Sequence, residues 1–591
     1  MEKGKKQGNL EKIRHSLAHI LAAAVLEKYP KAKLGIGPTI ENGFYYDFDF
    51  GKDKLTDAEL AGLEKRMREL AKNDLKFKKE NITYAEAKKT FKDQKYKLEL
   101  IEELKKGKKP ISVYITLADK GEVFTDLCAG PHIKSSKEIN PDSFKLIKLA
   151  GAYWRGSEKN PMLTRIYGVA FDSKKELDDY LAWQKEIEKR DHRILGEKLQ
   201  LFMVDEKIGK GLPLWLPKGY FIRHLIEEYM YNMEKENGYE HVLTPILAKE
   251  DLYKTSGHLA HYKEDMYSPI DIEGEKFYLR PMNCPHHHSI YKHQLRSYKD
   301  LPLRIAEFGT VYRFERSGVL SGLIRVRGFT QNDSHIYTTQ EQLESEIIGI
   351  LNLHKKVYED FKIGGYWFRL SLPDFKNKEK FGDVKNKKMW DEGAKVLKNV
   401  LKKMNLKFVE GAGEASFYGP KIDIQIKNIH GKEDTIATIQ VDYYSANKFN
   451  LSYIDKDGKE KPVVVIHRAI LGSFERFFAF LLEQTAGELP LWLAPVQAVV
   501  LNVGLGQADY AKEVQTKLSA NKIRVEIRET DSLGKRIREA ELQKIPYILV
   551  VGDKEMQNKT VNVRHYKKGQ EGEVKIEEML DKITEEIKGK K

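Results

Sequence analysis

The spacing of apolar residues changes along the chain, and those changes outline its parts. To about residue 175 the pattern is mixed. A helix is predicted over Leu10–Lys28, glycine and proline punctuate Gly35–Phe50, and strands such as Ser112–Leu117 follow. Lys174–Arg190 is charged and amphipathic, with Leu177, Leu181 and Ile187 on one side, and reads as a connecting helix. From about 196 to 488, long helical patterns such as Tyr220–Asn237 alternate with strand-like runs at Ile422–Ile426, Thr435–Asp442 and Val463–Ile466. The character changes again at Leu489–Pro495. Beyond it come Val496–Val503, a helix near 507–519, Arg524–Arg528, a helix near 533–543 and Ile548–Val551. That alternation predicts a parallel sheet with crossover helices. The expected division is therefore 1–175, a linker helix at 176–195, a large domain at 196–488 and a small one at 489–591.

A chain of 591 residues is too long for one core, and 41% hydrophobic with 10% aromatic residues argues against the disordered and fibrous classes. The net charge of +14 suits a polyanionic partner, or equally a solvated lysine-rich surface. Met1–Gln7 is polar and basic without signal-peptide architecture, and no apolar run reaches membrane-spanning length. Two cysteines, Cys128 and Cys284, cannot make a disulfide framework, so a reducing cytoplasm is expected.

Candidate chemistry begins with three single ligands at strand or turn edges. Cys284 lies in Arg280-Pro-Met-Asn-Cys-Pro285, His335 in Gln331-Asn-Asp-Ser-His335 and His467 in Val465-Ile-His-Arg468. A thiolate and two imidazoles are a good zinc set that leaves a coordination position open. A buried cysteine and two ordinary histidines is the alternative. Tyr312-Arg-Phe-Glu-Arg-Ser-Gly318 and Ile324-Arg-Val-Arg-Gly-Phe-Thr-Gln331 read as two strands joined by a mobile loop. Arg313, Arg325 and Glu315, with the ring of Phe329, could grip a nucleotide, since arginine forks fit phosphate oxygens. His467 is read as closing a strand, after which Ala469–Arg476 starts a helix, with Arg476 one turn in. Surface ion pairs are the alternative fate for each arginine.

These segments resemble motifs 2 and 3 of class II aminoacyl-tRNA synthetases, and Thr244-Pro245 resembles motif 1, whose proline sits at the dimer interface in that class. Within the class, the chain from about residue 10 to its end resembles the threonyl-tRNA synthetase family. The literal strings are Arg325-Val-Arg-Gly-Phe-Thr-Gln331, Phe417-Tyr-Gly-Pro-Lys421, His467-Arg-Ala-Ile-Leu-Gly-Ser473 and Trp492-Leu-Ala-Pro-Val496. The resemblance implies an α+β multidomain enzyme: an α+β editing domain, an antiparallel-sheet catalytic domain and an α/β anticodon-binding domain. It implies L-threonine, ATP with Mg2+, and tRNA(Thr) as partners, a homodimer, and no membrane. Cys284, His335 and His467 would hold a catalytic zinc ion. Arg313, Arg325 and Arg476 would face ATP, with Glu315 and Phe329. Gln331, Asp333, Tyr418 and Gln440 would line the amino-acid pocket, and His258 would lie near the terminal ribose of tRNA.

Zinc has a physical reason to be there. Threonine and valine differ by hydroxyl against methyl, which apolar packing separates poorly, whereas a site demanding a hydroxyl rejects the methyl by about 10⁴-fold. Serine keeps the hydroxyl, and its missing methyl is worth only about 1–3 kcal/mol, so a second, hydrolytic site is expected. His15 and His19 fall on one helix face, and Cys128 and His132 share Asp126-Leu-Cys-Ala-Gly-Pro-His132. Read alone, these four residues also suit a structural metal site. The resemblance assigns them to metal-free hydrolysis of seryl-tRNA, with Asp126 and Lys97. It also implies that Arg538, Lys554, Glu555 and Arg564 contact anticodon bases, where solvated charge is the plain alternative.

Some positions depart from the family pattern. Phe314 stands where asparagine is usual, His286 where glycine is, and Thr435 where some members have glutamine. Longer members begin with a small ubiquitin-like domain, which this bacterial-type chain is expected to lack. The rival readings are another class II synthetase, prolyl or alanyl, and a non-catalytic RNA-binding paralogue. Neither accounts for the zinc trio beside Asp333 with all three arginines kept.

Overall fold

The computed structural model describes residues 2–157, 159–377 and 387–590, and the side chains from residue 8 onward. The chain forms two compact units, Met1–Glu186 and Ile187–Lys591.

In the first unit the opening helix is longer than the apolar pattern suggests, running Glu2–Lys28. Its buried face, including Leu17, Ile20, Leu21 and Val25, packs in one core with Phe44, Phe48 and Ile166 of the neighbouring sheet. That sheet pairs Gly43–Asp49 with Met162–Ala170, and the latter with Phe144–Tyr153, all antiparallel. A second sheet pairs Lys76–Asn81, Ser112–Ala118 and Gly121–Leu127. The connecting helix spans Lys174–Arg190, as the sequence predicts.

The second unit is built on one eight-stranded sheet. Its strands are β1 (Glu240–His241), β2 (Leu303–Tyr312), β3 (Gly328–Thr338), β4 (Trp367–Leu372), β5 (Phe408–Ala412), β6 (Lys421–Lys427), β7 (Glu433–Asp442) and β8 (Val464–Ser473). Their order across the sheet is β1-β2-β3-β8-β7-β6-β4-β5, with antiparallel pairing everywhere except β1/β2 and β4/β5. Helices α1 (Pro217–Glu236), α2 (Leu343–Asp360), α3 (Lys387–Lys403) and α4 (Phe474–Thr485) bury apolar residues, among them Ile222, Ile347, Leu397 and Phe477, in one core with Ile336, Ile424, Ile439 and Ile466 of the sheet. Side chains alternate across each strand, so the remaining face is free to carry chemistry.

One expectation is corrected here. His467 does not close its strand, and Ala469–Ser473 is not helical: β8 runs through to Ser473, and α4 begins at Phe474. The Ser473 hydroxyl accepts from the Arg476 N–H at 3.2 Å, a side-chain cap that fixes the helix start.

The last part of the second unit has its own five-stranded sheet and core. Ala498–Asn502 lies parallel to both Val525–Ile527 and Tyr547–Val551, with helices Ala508–Ala520 and Leu533–Leu542 as crossovers. An antiparallel pair, Thr560–His565 and Gly569–Lys575, extends it beyond the strands that the sequence pattern predicts. Among the described residues, no helix is long and apolar enough to cross a membrane.

Candidate functional site

On β3, Gln331, Asp333 and His335 are spaced by two and therefore share one face, while Asn332, Ser334 and Ile336 turn the other way. His335 stands directly across from His467 of β8, which in turn stands across from Gln440 of β7. A cavity of about 770 Å³ opens over this face, lined by Gln331, Asp333, His335, Gln440 and His467, with Tyr418, Cys284 and Arg313. All four expected threonine contacts and all three expected zinc ligands are thus brought together.

Cys284 reaches the cavity from the first turn of the helix Cys284–Lys292. One ligand atom from each of Cys284, His335 and His467 lies within 4.8 Å of the others. Nε2 of His335 is buried without a hydrogen-bond partner, and Nε2 of His467 is 2.8 Å from the Asp442 carboxylate, which leaves Nδ1 of His467 free. One sulfur and two imidazole nitrogens, the imidazoles held from behind by His287 and Asp442, fit zinc by donor type and convergence. Burial pushes the Cys284 thiol well up, with Asp333 and Asp442 adding to it, and pushes the His335 imidazole well down. Burial likewise raises Asp333, whose carboxylate accepts from Asn283 at 2.9 Å. Tyr418 stacks on His467 and donates to the Gln440 side-chain oxygen.

Behind Cys284, His335 and His467 lie residues that no sequence motif singles out. Nδ1 of His287 is 2.8 Å from Nδ1 of His335, and Nε2 of His287 is 3.0 Å from Glu307 on β2. Glu307 also accepts the Thr244 N–H at 3.0 Å and faces Arg280 at 3.2 Å. Burial opposes ionisation of Glu307, but these donors outweigh it and hold the carboxyl down at about 2. A second buried carboxylate, Glu234 of α1, pairs with Arg468 at 2.6 Å and accepts from Asn332 at 2.8 Å on the far side of the same strands.

Of the expected ATP residues, only Arg313 lines the cavity. Its guanidinium sits 5.1 Å from the Phe329 ring. Arg325 pairs with Glu315 at 2.9 Å. Arg476 donates through Nε to the Ile324 carbonyl and through Nη1 to the Thr435 carbonyl, each at 3.0 Å. His258 does not line the cavity either. It is buried behind Phe417 with Nδ1 2.7 Å from the Ser256 hydroxyl, and burial beside Arg313 lowers its imidazole to about 4.

In the first unit, His15, His19, Cys128 and His132 converge to within 4.8 Å. The Cys128 sulfur is 3.4 Å from Nε2 of both His15 and His132, and Ser16 meets Nδ1 of His132 at 3.0 Å. Burial lowers all three imidazoles and pushes the Cys128 thiol up to about 11, so the cluster is neutral near pH 7. Lys97 joins it, buried against Asp126 at 2.6 Å, and Tyr46 donates to the same carboxylate at 2.6 Å.

The expected anticodon residues sit on the small C-terminal sheet and its helices. Arg538 is exposed, whereas Lys554 pairs with Glu573, Arg564 with Glu541, and Glu555 accepts the Gly552 N–H.

Comparison with known proteins agrees with this layout. The tRNA synthetase class II core domain (G, H, P, S and T) matches residues 262–485, the anticodon binding domain matches 497–586, and the threonyl and alanyl tRNA synthetase second additional domain matches 113–167. A threonine–tRNA ligase of Oceanobacillus iheyensis is 45% identical over 591 residues, covering 99% of this chain and 90% of that protein. One from Geobacillus sp. (strain WCH70) is 46% identical over 583 residues, covering 98% and 89%. The crystal structure of the RNA binding domain of threonyl-tRNA synthetase from Cryptosporidium parvum Iowa II superposes with a TM-score of 0.62 at 37% identity, over 67% of this chain and 98% of that one. With near-full-length identity of this size and all three domains in order, the chain belongs to the threonyl-tRNA synthetase family.

Proposed function

We propose that this chain joins L-threonine to the 3′ end of tRNA(Thr) at the expense of ATP with Mg2+, and hydrolyses seryl-tRNA(Thr) formed in error. The observation that carries the first activity is the convergence of Cys284, His335 and His467 beside Asp333, Gln331 and Gln440 in one cavity. Bound between those three side chains, a zinc ion would have coordination left open, and by expanding to five ligands it could take both the amino and the hydroxyl group of the substrate. Asp333 accepts a hydrogen bond from the threonine hydroxyl, which valine cannot make. Arg313, at the cavity, meets the α-phosphate as the threonine carboxylate attacks it and pyrophosphate leaves, and stabilises the charge that develops there. Arg325 exchanges Glu315 for phosphate when ATP enters, Glu315 turns to the adenine amino group, and Phe329 stacks on the ring. Arg476 and His258 serve the phosphates and the terminal ribose.

Seryl-tRNA is hydrolysed in the first unit. A neutral imidazole from the His15, His19 and His132 group takes a proton from water as it attacks the seryl carbonyl. The bond to the tRNA ribose oxygen breaks and that oxygen receives the proton, while Lys97 and Asp126 place water and ester. Arg538, Lys554, Glu555 and Arg564 read the anticodon, unpaired bases being open to side chains on their hydrogen-bonding edges. We assign editing to 1–175, a linker to 176–195, catalysis to 196–488 and anticodon binding to 489–591. The chain acts as a homodimer in the cytoplasm, joined through motif 1 around Thr244-Pro245, where Leu243 is 90% exposed.

The test is amino-acid-dependent ATP–pyrophosphate exchange, before and after chelation. Threonine should be activated strongly, serine weakly and valine not at all, with all activity lost without metal. Valine activated as readily as threonine would refute the reading.

A further inference from the structure

A third group of ligand-type side chains converges within 4.8 Å among the described residues: Asp191, His192 and Glu483. All three are buried, and the two sites already described use none of them. Its hydrogen bonds argue against a cation. Nδ1 of His192 is 2.6 Å from the Glu483 carboxylate, and Nε2 is 3.1 Å from the backbone nitrogen of Leu323. A backbone N–H can only donate, so Nε2 holds its lone pair toward Leu323 and Nδ1 carries the proton given to Glu483. Both nitrogens are therefore spent. Asp191 is spent too, capping the helix His192–Lys198 through the Arg193 N–H at 2.8 Å and pairing with the Arg193 guanidinium.

What the imidazole grips is the returning limb of the loop between β2 and β3. Leu323 is fully buried. Gly322 has φ +47°, and a Cβ there would overlap the imidazole, so the backbone presses directly on the ring. On the next residue, the Ile324 carbonyl accepts from Arg476 at 3.0 Å. Arg325 follows at once, its N–H bonded to the Ser321 carbonyl at 3.2 Å. Residues 321–325 thus form a turn anchored by His192 through Leu323 and by Arg476 through Ile324, with Glu483 of α4 fixing the imidazole itself.

We propose that His192 is a positioning residue for ATP: it clasps Leu323 so that Arg325 leaves the turn in the place where it meets phosphate. This rests on the reading of the loop as the ATP grip. A loop free to wander would lose orientation at its arginine, at a cost to nucleotide binding and none to the amino-acid pocket.

Intact wild-type protein, His192→Ala, His192→Gln and Glu483→Gln are compared by ATP–pyrophosphate exchange, with KM for ATP and for threonine measured separately. Hydrogen–deuterium exchange is followed over 321–325 and over 328–338. His192→Ala should raise the ATP KM about tenfold, roughly the worth of one buried hydrogen bond, and leave the threonine KM within twofold. Exchange should quicken over 321–325 alone. In His192→Gln the amide oxygen can accept from Leu323 while its N–H donates to Glu483, so the ATP KM should return to within about threefold of wild type. Glu483→Gln should raise the ATP KM more mildly than alanine at 192. An unchanged ATP KM in His192→Ala overturns the proposal, as does a joint rise of both KM values with faster exchange across 328–338. Should His192→Ala not fold, the glutamine variants decide alone, and an ATP KM equal to wild type in Glu483→Gln overturns it. If wild-type protein shows no threonine-dependent exchange, the ATP reading itself fails. The clasp is then judged on deuterium uptake at 321–325, where no change in any variant overturns it.

Discussion

His287 and His335 meet nitrogen to nitrogen, their Nδ1 atoms 2.8 Å apart. Because Nε2 of His287 faces the ionised Glu307 at 3.0 Å, that nitrogen holds the proton, and Nδ1 of His287 is left to accept. His335 must then carry its own proton on Nδ1, which turns the bare lone pair of Nε2 into the cavity. Partners of this kind are worth about 10–100-fold in metal affinity. His287→Ala should weaken zinc binding by that factor, read by competition with a chromophoric chelator. Unchanged affinity would remove the relay from the account.

Asp333 is the group expected to sense the threonine hydroxyl. Asp333→Asn keeps a side chain of the same shape in reach of Asn283, and weakens one charge-assisted hydrogen bond to substrate. The threonine kcat/KM should fall by about 10–100-fold, with the ATP KM unchanged. An equal loss for serine and threonine is expected, since both present the hydroxyl.

Removal of one imidazole should separate synthesis from correction. His15→Ala is expected to let seryl-tRNA accumulate while threonyl-tRNA forms at the wild-type rate. Clearance of preformed seryl-tRNA by the variant at the wild-type rate would take His15 out of the hydrolytic site.

The burial of His15, His19 and His132 also sets a pH dependence. A base works when neutral, and burial lowers all three imidazoles, so the neutral form survives to lower pH than for a free histidine. Hydrolysis of seryl-tRNA should therefore persist to lower pH than an ordinary histidine base would allow. A half-loss near pH 6.5, the ordinary value for histidine, would contradict this.

Glu234 and Arg468 are both fully buried, and loss of one partner leaves the other charge stranded. Glu234→Ala should destabilise the protein by about 3–5 kcal/mol, visible as a lowered urea midpoint. Replacement of the pair by apolar residues of similar volume should cost much less.

How much of this could be read from the chain depends on where polar residues find their partners. Gln331, Asp333 and His335 are legible, because alternation alone puts them on one face. The apolar pattern predicts β8 too short, since the run ends at His467-Arg468 while the strand continues to Ser473. The strand continues because both polar side chains find partners, His467 in Asp442 and Arg468 in Glu234, and these lie 25 and 234 residues away in sequence. The strand Gly569–Lys575 escaped notice for a related reason. Its sequence, Gly-Gln-Glu-Gly-Glu-Val-Lys, lacks the alternation of a half-buried strand and is held by pairing with Thr560–His565. His287 and Glu307 offered a weaker signal, a histidine run beside Cys284 and a lone acid within an apolar strand.

The Glu234–Arg468 pair has a consequence beyond stability. Neighbours on a strand point to opposite faces, so sliding β8 by a single residue against β3 would bring Arg468 into the cavity and send His467 into the hydrocarbon core. Arg468 is bound to a carboxylate on α1, so such a slide must first break a buried ion pair. The charge pair beneath the sheet acts as a detent, holding the His467 imidazole on the cavity side of the sheet.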